Sequence, residues 1–195
     1  MKSIIAFVLI FVSLFSFDSA RAEDFNFKVK NYKEASQQGT FLKFEMESTK
    51  MGLVTTGFTG YVKEFMLSAN VSSDKFTDAK IKFEIKSMDT DIDGRNEKMW
   101  ETCFAYDKHP TIIVEVSGDV VHSPVWKEYP ATIDVRGKKH NINVKIKSAQ
   151  VEGIYKIDLE STVSLKALEI PDPSIIIATV RDTILLRGHF DIPGK

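Results

Sequence analysis

The sequence predicts an all-β, antiparallel fold in a single domain. Period-two alternation of apolar and polar residues recurs from Phe25 almost to the C-terminus, the pattern of strands with one wet face. The alternating runs are joined by short polar turns, with no long helices between them. The 195 residues include a single cysteine, so apolar burial and sheet hydrogen bonds, not a disulfide, must supply the stability.

The first 22 residues stand apart from this pattern. Lys2 precedes an unbroken run of apolar and small residues, Ile4 to Phe17, and Ala20-Arg21-Ala22 has the small-x-small form of a signal-peptidase site. The run is shorter than the roughly 20 residues a membrane-spanning helix needs, so residues 1–22 are expected to be a removed signal peptide. Residues 23–195 then form the mature domain, exported to the periplasm or beyond with no stable membrane insertion. The formal net charge is −1, and losing Lys2, Asp18 and Arg21 makes the remainder slightly more acidic. Nothing here attracts phosphate backbones, so nucleic acid is not an expected partner.

The strands follow in order. Phe25, Phe27 and Val29 alternate with polar residues, then Phe44 and Met46, then Ile81, Phe83 and Ile85. Ile112, Val114 and Val116 continue the pattern. Ala131, Ile133 and Val135 run into Gly137-Lys138-Lys139, and Ile142, Val144 and Ile146 run back out, which predicts a hairpin. Tyr155 to Leu165 forms a longer strand. Ile176, Ala178, Val180, Ile184 and Leu186 keep one parity, which predicts a single last strand without a bulge. Pro171-Asp172-Pro173 reads as the loop before it. Eight to ten such segments with one apolar face must stack as a sandwich or close as a barrel, and the pattern leaves both open.

One segment interrupts the strands. Asp93 can cap a short helix whose apolar face carries Met99, Trp100, Cys103 and Phe104, and Pro110 starts the next strand. So short a helix must dock that face, which places it at one end of the fold. Asp89 to Gly94 matches the opening D-x-D-x-D-G of a calcium loop, but Trp100 stands where the bidentate Glu belongs. The favoured reading is a polar turn in which Asp89, Thr90 and Arg95 pair locally. The four histidines, His109, His122, His140 and His189, lack metal-pair spacing, and Cys103 reads as a buried, inert thiol. No nucleophile elbow, phosphate loop or dinucleotide fingerprint occurs, so no catalytic residue, metal ligand or cofactor is assigned.

Asp89-Thr90 with Arg95, Phe104 and Pro110, the turn Arg136-Gly137-Lys138-Lys139, and Ser164 to Ile170 followed by Val180-Arg181-Asp182 together resemble the YceI-like family over roughly residues 41–192. The resemblance implies a closed, lipocalin-like antiparallel β-barrel of about eight strands, with a short helix near Asp93-Phe104. It further implies an interior that holds a long isoprenoid or quinone-like lipid, as cargo and not as a cofactor. The expected cavity lining is Phe44, Met46, Phe58, Phe83, Ile85, Met99, Trp100, Phe104, Ile112, Val114, Leu159, Val163 and Leu165, with Trp100 and Phe104 lining or closing one end. The residues alone favour a solid core over a hollow, and it is the resemblance that implies the cavity. The chain departs from the family in having no histidine between Phe41 and Gly60, and in Asn96 after the arginine. Those departures leave the head group open among quinone, polyprenol and fatty amphiphile. Two other readings remain beside lipid binding: a barrel-pocket enzyme acting on a small amphiphile, and an envelope scaffold with a filled core.

Overall fold

The computed structural model describes residues 21–194. The expected signal segment lies, up to residue 20, outside the described residues. Everything described is one curled antiparallel sheet with short helical pieces at its rim. In chain order these are β1 (Arg21–Lys28), α1 (Tyr32–Ala35), β2 (Phe41–Lys50), β3 (Val54–Val62), β4 (Glu64–Val71) and β5 (Lys75–Glu84). A 3₁₀ turn (Ile85–Ser87), β6 (Met88–Asp89), α2 (Asp93–Lys98) and a π-turn (Met99–Cys103) follow. The chain ends with β7 (Thr111–Val116), β8 (Val120–Val121), β9 (Lys127–Val135), β10 (Lys138–Val151), β11 (Ile154–Ser164), β12 (Ala178–Val180) and β13 (Thr183–Pro193).

Among the described residues thirteen strands pair in the order β1-β4-β5-β7-β9-β10-β11-β13-β2-β3-β6, with β12 beside β2 and β8 beside β5. The expected closed cylinder of about eight strands is therefore corrected to a half-barrel. Its hydrogen-bonded path begins at β1 and ends at β6 without the two meeting. The physical reason lies at Lys63. The chain from β3 to β4 is nearly continuous, but β3 pairs with β2 whereas β4 pairs with β5 and β1. The bend thus joins the two flanks covalently. Beyond Tyr61 and Val62, which pair with β6, β3 has no strand on its outer side among the described residues.

The hairpin between β9 and β10 forms as the sequence predicts. Arg136 and Gly137 both adopt positive φ (55° and 71°), a two-residue turn whose twist matches the flanking strands. Two other expectations need correction. The single last strand is two, because the register against β2 shifts by two residues between Val180, opposite Ser48, and Leu185, opposite Glu45; Arg181 N–H still donates to Glu47 O, and Asp182 O accepts from Leu165 N–H. Ile176 and Ile177 fall in the loop before β12. The helix is also not capped by Asp93. Ile92 is the cap and bonds through no side chain, whereas Asp93 opens the first turn, where its charge suits the helix dipole. The helical run then loosens, with Phe104 N–H reaching back to Met99 O (3.0 Å).

The interior is unevenly filled. At one end Phe27 stacks on Phe65 (4.9 Å between ring centres), Phe190 meets Phe65 edge-on (5.7 Å), and Phe76 and Tyr155 pack around His122. Val71, Val120, Phe190 and Ile192 are all but inaccessible there. His122 closes this end through Ser72 O (3.1 Å) and Ser148 Oγ (3.3 Å). Rings of that size leave little void. Replacing Phe190 by Ala should cost about 3–5 kcal/mol of stability, read as a lower urea midpoint. An unchanged midpoint would show that this end does not hold the fold together.

Candidate functional site: an apolar cavity with an open side

At the other end the inward positions mix Phe, Met and Leu with β-branched Ile and Val, and a cavity of about 400 Å³ remains. Even positions of β2 point inward, giving Leu42, Phe44 and Met46. β5 and β7 contribute Ile81, Phe83, Ile112 and Val114. Ile133, Val135, Ile142 and Val144 come from the β9–β10 hairpin, and Leu159, Val163 and Leu165 from β11 and the residue after it. Met99, Cys103 and Phe104 cover the end from the π-turn. Burial pushes the Cys103 thiol up, against weaker pulls from Lys98 and Arg136, so it stays protonated and unreactive at neutral pH.

Eleven of the thirteen expected lining residues are thus brought to one wall: Phe44, Met46, Phe58, Phe83, Met99, Phe104, Ile112, Val114, Leu159, Val163 and Leu165. Ile85 and Trp100 are not on it. Ile85 sits in the 3₁₀ turn, which breaks the parity of β5, and is fully buried behind the wall. The indole N–H of Trp100 donates to Met88 O (3.0 Å). That polar tether, and the extra residue per turn in the π-turn, carry the ring off the inward face. The sequence reading missed Ile133, Val135, Ile142 and Val144 as lining, although their alternation was visible; parity showed a face but not which end of it would be hollow. It also missed Arg95, Lys98, Ser161 and Ile175 on the wall.

The polar groups of the wall are largely committed. Ser161 Oγ donates to Asn143 O (2.6 Å). Thr90 donates through N–H and Oγ to Asn96 Oδ1 (2.8 and 2.7 Å), and the Asn96 amide donates to Asp89 Oδ1 (2.9 Å). Arg95 donates to Thr90 Oγ1 and O (3.0 and 3.1 Å), while its guanidinium lies over the Phe58 ring at 4.3 Å. The expected Thr90–Arg95 pairing is present, and Asp89 turns instead to Asn96 and to Lys63 (3.1 Å). The buried Asn96 therefore serves as the hub of this clasp, accepting from Thr90 while donating to Asp89. An acidic residue there could not donate as the amide does. No carboxylate or imidazole lies on the cavity wall among the described residues, and no cluster among them could hold a metal ion.

Exposed or half-buried residues of the wall come from α2 (Gly94, Arg95, Lys98) and from the β2–β3 hairpin with the loop before β12 (Ser48, Phe58, Pro173, Ile175), and we take this side as the mouth. Two contacts strap it: Arg95 over Phe58, and Lys98 Nζ to Ser174 O (3.2 Å). Outside the strap a second, polar cleft of about 800 Å³ lies over β2 and β3, lined by Tyr32, Glu45, Glu47, Asp91 and Arg181. Met46, Phe58, Thr90 and Arg95 border both spaces.

Comparison with known proteins supports this fold. A family model described as YceI-like domain matches residues 25–190. A polyisoprenoid binding domain from Saccharophagus degradans, implicated in plant cell wall breakdown, is similar in structure with a TM-score of 0.58 at 15% identity, covering 80% of this chain and 94% of that one. Burkholderia cenocepacia BcnA gives 0.58 at 15% identity over 77% and 95% of the two chains. The Campylobacter jejuni YCEI protein gives 0.57 at 13% over 70% and 84%. No curated protein matches this chain.

The clasp has a pH signature. Burial pushes the Asp89 carboxyl up, but the Asp91 N–H, the Asn96 amide and the Lys63 ammonium outweigh it and hold the group below its ordinary value. A carboxyl depressed in the folded state stabilises fully above its unfolded pKa of about 3.9 and loses that contribution as pH falls through the folded value. Between about pH 5 and pH 3 the wild-type melting temperature should therefore fall further than that of Asp89→Asn. Identical slopes would show that the clasp does not depend on the Asp89 charge.

Proposed function

The chain belongs to the YceI-like domain family, and from that premise we propose that it is an exported protein that sequesters or carries a long-chain lipid of isoprenoid type. The observation that supports the reading is the apolar hollow with a side opening, bounded by a filled end on one side and by the π-turn on the other. At roughly 30 Å³ per carbon-sized group, 400 Å³ admits on the order of a dozen carbons, or two to three isoprene units. Each CH₂ buried is worth about 0.8 kcal/mol, so the enclosed part of a tail supplies on the order of 10 kcal/mol before ordering costs. The rest of a longer chain, and its head group, would lie at the mouth. There Arg95 and Lys98 offer donors, and the polar cleft beyond offers water. The structural neighbour from Saccharophagus degradans is a polyisoprenoid binding domain, which agrees with this ligand class.

Export rests on the sequence of residues 1–22. Cleavage after Ala22 would leave Glu23 to Lys28 of β1 still paired with β4. N-terminal sequencing of protein recovered from the periplasm should begin at Glu23; a chain retained in the cytoplasm with residues 1–22 intact would contradict export.

Native mass spectrometry after mild purification should show a co-purified lipid mass, or uptake of added polyprenol. Phe83→Asp should abolish retention, and Phe83→Trp, which narrows the cavity without adding charge, should reduce it. Lys82→Asp, on the exposed face of β5, should leave retention unchanged. No lipid and no uptake in the wild type would remove the hypothesis, and equal retention in all variants would contradict the cavity as its seat.

A further inference from the structure

Beside the mouth the chain exposes apolar side chains that the fold does not need. The β2–β3 turn presents Met51 and Leu53, 79% and 87% exposed, with Val54 following. The loop before β12 presents Ile176, fully exposed, between the exposed Ile175 and Ile177. The two segments are one surface: Met51 N–H donates to Ile177 O (2.9 Å), and Lys50 pairs with Ala178. The turn itself departs from ordinary turn chemistry. Met51 and Gly52 both take positive φ (48° and 70°), a geometry that asparagine or aspartate fits best at the first position. Folding and solubility would both be served better there by a polar residue.

We propose that this apolar rim docks the protein on a phospholipid bilayer, with the mouth of the cavity held against the membrane surface. The occupant follows from continuity. Ile175 is at once exposed and part of the cavity wall, and Pro173, Ala178 and Val180 of the same segment also line the interior. The rim is thus the outer lip of an apolar channel. On this side of the mouth a tail leaving a bilayer would meet Pro173, Ile175, Ala178 and Val180, with Arg95 and Lys98 on the opposite side. Exposed apolar side chains on a turn and its adjoining loop suit insertion into a bilayer interface. The inference rests on the reading above for why the protein approaches a membrane; the surface stands on its own geometry.

Flotation with phosphatidylcholine vesicles tests it on the full mature chain. The wild type should float with these vesicles and should remain bound at high salt, since the contact is apolar. The double variant Leu53→Asp/Ile176→Asp should lose about ten-fold or more of that binding. It should keep the wild-type circular dichroism spectrum and melting temperature, and should take up short-chain polyprenol from detergent as the wild type does. Equal flotation of both proteins overturns the proposal, as does a wild type that stays in solution. Binding only to anionic vesicles, abolished by salt, overturns it in favour of an electrostatic contact. A concentration-dependent dimer that the double variant lacks, without flotation, overturns it in favour of self-association. Flotation without polyprenol uptake upholds the rim and overturns the ligand assignment; uptake without flotation does the reverse.

Discussion

Lys63 is used three ways at once. Its N–H donates to Ser87 O (2.8 Å), its carbonyl accepts from Val29 N–H (2.9 Å), and its ammonium pairs with Asp89 (3.1 Å). Those bonds fix the bend where one run of chain leaves β2 on one flank and joins β5 and β1 on the other. Because the bend sits late in β3, most of that strand keeps an unpaired outer edge, and the curled sheet retains an open side. The helix, the clasp and the mouth all occupy the gap so produced. Had β3 paired along its length with another strand, the wall would have had no opening there.

The hollow lies where the inward rings are no longer in mutual contact. Toward one end the inward positions are Phe27, Phe65, Phe76, Tyr155 and Phe190, whose rings meet in contact. Toward the other, Val114, Ile133, Val135, Val144 and Val163 line the wall together with Leu, Met and Phe side chains, and a hollow remains among them. The four aromatic residues on that wall, Phe44, Phe58, Phe83 and Phe104, stand around the void and leave it unfilled. A void lined by apolar groups stays dry unless an apolar ligand enters, so the unfilled space is itself a standing source of affinity. Polar residues at the boundary do not compete for this role. Thr90, Asn96 and Ser161 spend their bonds on one another or on the backbone.

Strand identity and strand facing were legible because parity is a local property. Phe44, Phe83, Ile112, Leu159 and Val163 face inward as their alternation requires. What parity cannot carry is a change of geometry. The 3₁₀ turn at Ile85 and the π-turn at Trp100 each shift the chain by a fraction of a turn, and both residues leave the wall as a result. The last two strands keep one parity although their register against β2 shifts by two residues, where the Asp182 carboxylate accepts from Ser164 and Lys166 N–H. Closure was illegible for a related reason: a bend at one lysine decides it, and nothing in the alternation marks that lysine. Ile176, in the loop before β12, looked like a strand residue, since exposure depends on neighbours that a sequence does not display.

The central claim is that the hollow end of the half-barrel, and no other surface, holds an apolar tail. The most direct measurement is intermolecular nuclear Overhauser contact between methyl-labelled Ile, Leu and Val of the protein and the protons of an unlabelled polyprenol. Contacts from Ile112, Val114, Leu159 and Val163 to the polyprenol chain are the predicted result. Contacts confined to Leu53, Val54 and Ile176, with none from the interior methyl groups, would contradict the account.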